Sequence, residues 1–214
     1  MAPEPAAALL ALLTYQNLCV AESLNTRADG SAELSERLVV ARLGSEALNR
    51  FTRACDAIPG GQGAAVAAME PFVSAVDEFW SMTRPRVAAE QRLRVMVVAS
   101  LELELLQRLG EHLPDTVREA LEPSAGLWRA VDHGAQSTVQ ASAGRGHGVD
   151  ELSLYARRLL GEAAVMAQRV LLRQEALRQA VVGGSEVASI DSSAVLDEVL
   201  AAVAARVGQL GLSV

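Results

Sequence analysis

A chain of 214 residues with 50% hydrophobic but only 3% aromatic side chains is long enough to bury one sizeable core and too apolar to stay disordered. Its formal charge of −7 arises from 26 acidic residues against 19 basic ones, every one of them arginine. The arginines are dispersed along the chain, so neither a nucleic-acid groove nor a polybasic membrane face is expected.

No uninterrupted apolar run approaches the ~20 residues of a membrane span. The opening MAPEPAAALLALL has no basic residue ahead of Arg27, which argues against a signal peptide and for the first helix of a cytoplasmic protein. Cys19 and Cys55 lie in apolar periodic segments without CxxC spacing, the pattern of buried thiols and not of a disulfide or zinc site.

Ala, Leu, Arg, Glu and Gln fill nearly every segment, and these residues lose little rotamer freedom in a helix. The fold class read from this is all-α, with core helices at about 4–25, 31–58, 86–109 and 115–141. In the first, Leu9, Leu10, Leu13, Leu18, Val20 and Leu24 surround most of the circumference, so it should be largely buried. Ala28-Asp29-Gly30 ends it, and Pro59-Gly60-Gly61 ends the second. From Ala64 to Met82 a third pattern carries Met69, Phe72, Val76, Phe79 and Trp80, with Pro71 predicting a kink or two short pieces.

The stretch VMVVASLELELLQRL within 86–109 predicts a central core helix. A break near Pro123 to Gly126 is expected before Trp128 and Val131. AGRGHG at 143–148 reads as a linker: it has glycines, but neither the preceding strand nor the Lys-Ser/Thr of a phosphate loop. Extra helices are predicted at about 150–182 and 192–210. No repeat and no linker of domain-separating length interrupts the chain, so residues 1–214 form one domain.

Several segments in order, LLTYQNLCVAESL at 12–24, GSEALNRF at 44–51, AAMEPFVSAVDEFW at 67–80 and LYARRLLGEAAVMAQRV at 154–170, resemble actinobacterial ferritin-like proteins related to the tRNA isopentenyladenosine hydroxylases, which are non-haem di-iron enzymes. The resemblance implies a four-helix ferritin-like core with a crossover segment around Met69 to Trp80 and additional C-terminal helices packed outside. It also implies a di-iron site built from a Glu on each of two helices and Glu-x-x-His on the other two, since three-residue spacing puts both ligands on one inward face.

Laid on that pattern, the ligand positions fall on Asn17, Glu46, Asn49, Ala99, Ala130 and His133, of which Glu46 and His133 alone keep a ligating side chain. Two ligands cannot hold two hard divalent ions, each of which needs three or four. Exchange of acids for Asn and Ala is also what loss of the metals would require, because like-charged carboxylates without cations repel one another and cost much to bury. The expectation is a vestigial site without a cofactor, with Glu46 facing inward and bonded to His133 or Asn49, and His133 otherwise bonded to a backbone carbonyl.

One alternative stays open. Glu102 shares a face with Val95, Ala99, Leu106 and Leu109 and lies one turn from the lost carboxylate position, so Glu46, Glu102 and His133 could hold a single iron. The competing reading of Glu102 is an ion pair with one of the arginines. Glu22 and Asp132 read as solvated acids, and Phe79, Trp80 and Trp128 as core or interface anchors. The function implied is a non-catalytic structural or interaction subunit, a homodimer or a partner of a metal-bearing paralogue, against the alternative of an iron-dependent hydroxylase.

Overall fold

The computed structural model describes residues 4–25, 34–109, 113–122, 131, 133–140, 148–181 and 192–214. Among them every regular element is an α-helix: α1 Pro5–Asn25, α2 Leu34–Ala57, α3 Gly61–Met82, α4 Ala88–Leu109, α5 Asp115–Leu121, α6 at 133–140, α7 Gly148–Arg173, α8 Glu175–Val181 and α9 Ser192–Gln209.

Two turns show why the helices stop where they do. Between α2 and α3 the chain passes through Gly60 and Gly61 with φ of 103° and 77°, a left-handed conformation that L side chains rarely adopt. At the end of α3 the amide and hydroxyl of Thr83 both donate to the Phe79 carbonyl, at 2.9 and 2.6 Å, and Pro85 follows. Inside α2, a Cβ on Gly44 would come within 2.9 Å of Oδ1 of Asn25, the last residue of α1.

Two expectations need correction. α3 is one continuous helix through Pro71 and not two short pieces; this proline is exposed, so water can take the carbonyl bond that its missing N–H leaves unmade. The stretch expected to be helical over 115–141 with a break near Pro123 to Gly126 stops at Leu121, with Glu122 extended, and is helical again at 133–140 as α6; residues 123–126 themselves fall outside the described residues, as do Trp128, Asp132 and all of the AGRGHG linker except Gly148. The helix expected at 150–182 breaks at Gln174, which lets Ala176 and Leu177 of α8 reach the core beside α1.

The core consists of two apolar clusters stacked along the bundle. One joins Leu9, Leu10 and Leu13 of α1 with Phe72 and Val76 of α3, Leu109, α5 and α8. The other joins Leu24, Phe79, the run Leu93 to Ala99 of α4, the inner face of α7, and Val203 and Val207 of α9. The C-terminal helices therefore build the second cluster as well as cover it: Ala156, Leu159, Val203 and Val207 are fully buried.

Among the described residues α1 is the one helix long and apolar enough to cross a membrane by length and composition, and 61% of its most apolar window is buried inside the protein. Its apolar sides are spent on α2, α3, α5 and α8. Cys19 is buried, Cys55 is half-buried, and both are free thiols.

Candidate functional site

Where one cluster gives way to the other, three helices bring polar side chains inward at one level. On α1 Asn17 continues the inward stripe of Leu10, Leu13 and Leu24. On α2 Arg50 follows Leu43 and Ala47 at the i+7 and i+3 positions of one face. On α4 Glu102 stands one turn beyond Ala99. Arg50 and Glu102 are only 3% and 4% exposed.

The guanidinium grips both carboxylate oxygens: Arg50 Nη1 donates to Glu102 Oε2 at 3.2 Å and Nη2 donates to Oε1. This two-pronged geometry suits a buried pair, since the fork of donors matches the carboxylate. Arg50 Nη2 also donates to the Leu121 carbonyl at 2.7 Å, satisfying one of the unpaired carbonyls at the end of α5 with a positive charge. Asn17 Nδ2 donates to Glu102 Oε1 at 3.2 Å and to the Leu13 carbonyl of its own helix at 2.7 Å. Arg50 Nε is buried without a hydrogen-bond partner. Arg50 also borders a cavity of about 20 Å³, room for about one water, walled by Val20, Leu24, Leu43, Val95, Val98 and Ala99.

The sequence-predicted residues separate into two groups here. Asn17, Ala99 and Glu102 meet at the cavity. Asn49 and His133 are exposed, Glu46 is half-buried and outside the cavity wall, and Ala130 lies outside the described residues. Thus Glu46 does not join His133 or Asn49 in an inward pair, and the three-ligand set of Glu46, Glu102 and His133 is not brought together. The cause is a rotation of about one residue on α2: Leu43, Ala47, Arg50 and Ala54 face the core, which turns 46 and 49 off that face. On α6 the buried positions are Ala135, Thr138 and Val139, and His133 falls between the inward turns. Arg50, which sequence reasoning missed, could have been found from the same apolar spacing on α2.

The donor set does not fit a di-iron centre. A guanidinium has no lone pair for a metal and itself supplies the positive charge, and both oxygens of the one carboxylate already accept from it. Among the described residues no three His, Cys, Asp or Glu side chains gather closely enough to hold a metal ion.

A second buried arginine lies nearer the end of the bundle. Arg94 Nη1 donates to the carbonyls of Trp80 and Thr83, at 3.1 and 3.4 Å, and Nη2 donates to Ser23 Oγ and Gln91 Oε1, at 2.6 and 3.0 Å. Its guanidinium carbon stands 4.3 Å from the centre of the Trp80 ring, a cation–π contact. The Tyr155 hydroxyl donates to the Thr83 carbonyl at 2.6 Å, so α4 and α7 both tie down the end of α3. Linking α1 to α3, the Tyr15 hydroxyl donates to Asp77 Oδ1 at 2.6 Å. Burial, followed by that bond, pushes the Tyr15 phenol well above its ordinary range, and burial with the nearby Asp77 charge pushes the Cys19 thiol up to about 12.

An all-helical bundle with its polar centre at mid-height accords with the comparison of the chain against known families: the ferritin-like domain of actinomycetes matches residues 3–184. The chain belongs to this family. The ferritin-like match takes in α1 to α8 and ends before α9, so the helix that buries Val203 and Val207 lies beyond it. No curated protein matches the chain.

Proposed function

We propose that this ferritin-like protein is a non-catalytic structural or interaction subunit of the cytoplasm, in which an internal ion pair stands where a metal-bearing bundle would hold its ions. The observation that carries the reading is the buried Arg50–Glu102 pair: the cation that would balance a central carboxylate is a side chain of the chain itself. Kinship with the tRNA isopentenyladenosine hydroxylases, and descent from a di-iron site by loss of its ligands, belong to the same proposal. Asn17 and Ala99 support it, lying at the cavity without the charge that ligands would bring. The partner is a second copy or a metal-bearing paralogue.

The test is elemental analysis of the purified protein, with absorbance followed after aerobic addition of Fe(II). The expected result is iron far below one equivalent, no oxidation band, and no change in either on Glu46→Gln. Stoichiometric iron that is lost on Glu102→Gln would overturn the proposal.

A further inference from the structure

Helix α7, whose inner face helps to build the core, also carries the most exposed large apolar side chain among the described residues. On α7, Ala156, Leu159 and Ala163 are buried inward, yet on the opposite side Leu154 is 62%, Val165 40% and Leu172 87% exposed. At ~100° per residue, Leu154, Gly161, Val165 and Leu172 fall within about 40° of one another, and the exposed Arg158 and Gln168 flank them. Such a stripe, about 27 Å long at ~1.5 Å per residue, is unfavourable to leave in water and is the usual mark of an interaction surface.

The order of residues along this stripe names its occupant. Read from either end toward residue 163, its positions pair off: Leu154 with Leu172, the long polar Arg158 with the long polar Gln168, and the small Gly161 with the larger Val165. We infer that α7 is the contact face of a symmetric homodimer in which two copies of this helix pack antiparallel about a two-fold axis near residue 163. In that register Leu154 meets the partner's Leu172. Arg158 lies level with the amide oxygen of the partner's Gln168. Val165 seats over the partner's exposed Gly161, whose missing Cβ leaves room for a knob.

Charge agrees with that orientation. The first turn of α7 is acidic, with Asp150 and Glu151, and its last turn carries Arg173. Antiparallel packing sets each acidic end beside the partner's Arg173 and opposes the two helix dipoles, whereas parallel packing would stack like charges. On the flank, the Arg169–Glu78 pair relieves the repulsion that two bare guanidiniums would bring to the seam. Each operation is its own inverse, as a closed two-fold contact requires.

The inference rests on the reading of the chain as an interaction subunit, and its readout, mass, is independent of metal content. Light scattering or sedimentation of the full chain between about 1 and 100 μM is expected to show the mass rising from near 22.6 kDa toward twice that value. Val165→Glu with Leu172→Glu, both at exposed sites, should weaken association at least about tenfold. Gly161→Leu separates a defined seam from a merely sticky patch: it adds apolar area but fills the hole, so the seam predicts weaker association and a patch predicts stronger. A mass that stays near 22.6 kDa over this range, a dimer indifferent to the double substitution, or tighter association of Gly161→Leu would each overturn the inference.

Discussion

Arg50 and Arg94 are both buried guanidiniums on the walls of one bundle, and they are neutralised in different ways. Arg50 meets a full opposite charge, Glu102, at mid-height between the apolar clusters. Arg94 meets the last-turn carbonyls of α3, a hydroxyl, an amide oxygen and the face of Trp80. The first arrangement is a closed pair in which either member alone is a liability. The second spreads one charge over several dipoles, so no single deletion leaves it bare. Fragility should therefore concentrate at the mid-height pair.

The largest expected effect follows directly. Glu102→Ala leaves Arg50 buried against a single carbonyl and should cost about 3–5 kcal/mol, read as a fall in the urea midpoint with the slope unchanged. The double substitution Arg50→Met, Glu102→Leu removes both charges at similar volume and should recover most of that loss, to within about 1 kcal/mol of the parent. A double variant as unstable as Glu102→Ala would show that the polar layer does more than balance its own charges.

This contrast was only partly visible in the sequence. The helices of 5–25, 34–57 and 88–109 follow from periodicity and from the Gly-Gly and Pro stops, and an arginine partner for Glu102 follows from an acid on the apolar face of its helix. Which arginine it is depends on α2's rotation about its own axis, and a ligand pattern laid on that helix with an error of one residue turns Glu46 and Asn49 inward in place of Ala47 and Arg50. The apolar residues Leu43, Ala47 and Ala54 settle the rotation, because a helix buries its apolar stripe before it honours a motif. The break at Gln174 left no composition signal, since helix formers stand on both sides of it, and Pro71 does not split α3 because it faces water.

At the second arginine, Arg94→Met strips donors from the Trp80 and Thr83 carbonyls and from Ser23 and Gln91. The expected loss is about 2 kcal/mol, smaller than that of Glu102→Ala because the carbonyls, hydroxyl and amide left behind are neutral and the removed group takes its charge with it. Equality of the two losses in denaturant titrations would erase the distinction between the sites.

Cys19 offers a titration that reports on the field at this end of the bundle. Burial, with Asp77 and Glu22 nearby, holds its thiol up to about 12 while Arg94 pulls the other way. The folded value exceeds the unfolded one, so the contribution to stability is fully present below pH ~9 and is lost as pH climbs toward the folded value. Between pH ~8 and ~10 that loss should be about 1.5 kcal/mol; Cys19→Ala should flatten this part of the pH profile. In Arg94→Met the opposing charge is gone, and native Cys19 should react still more slowly with a disulfide reagent. Unchanged reactivity in that variant would place the Arg94 charge too far away to matter.

The smallest effect tests whether the Arg94 region shares its load. Tyr155→Phe deletes the 2.6 Å bond to the Thr83 carbonyl, yet that oxygen keeps a longer contact with Arg94 Nη1 at 3.4 Å. A carbonyl that retains a donor loses only the net value of one hydrogen bond, so the expected cost is below about 1 kcal/mol. Combined with Arg94→Met the same change orphans a buried carbonyl at the end of α3. The double variant should then lose more than the sum of the singles, by about 0.5–1 kcal/mol. Such coupling is the signature of donors that substitute for one another, and it is opposite in sign to the Arg50–Glu102 cycle, where removing the second partner restores what removing the first destroyed. Strict additivity at Arg94 and Tyr155 would mean that the two donors act independently and that the Thr83 carbonyl is not their shared point.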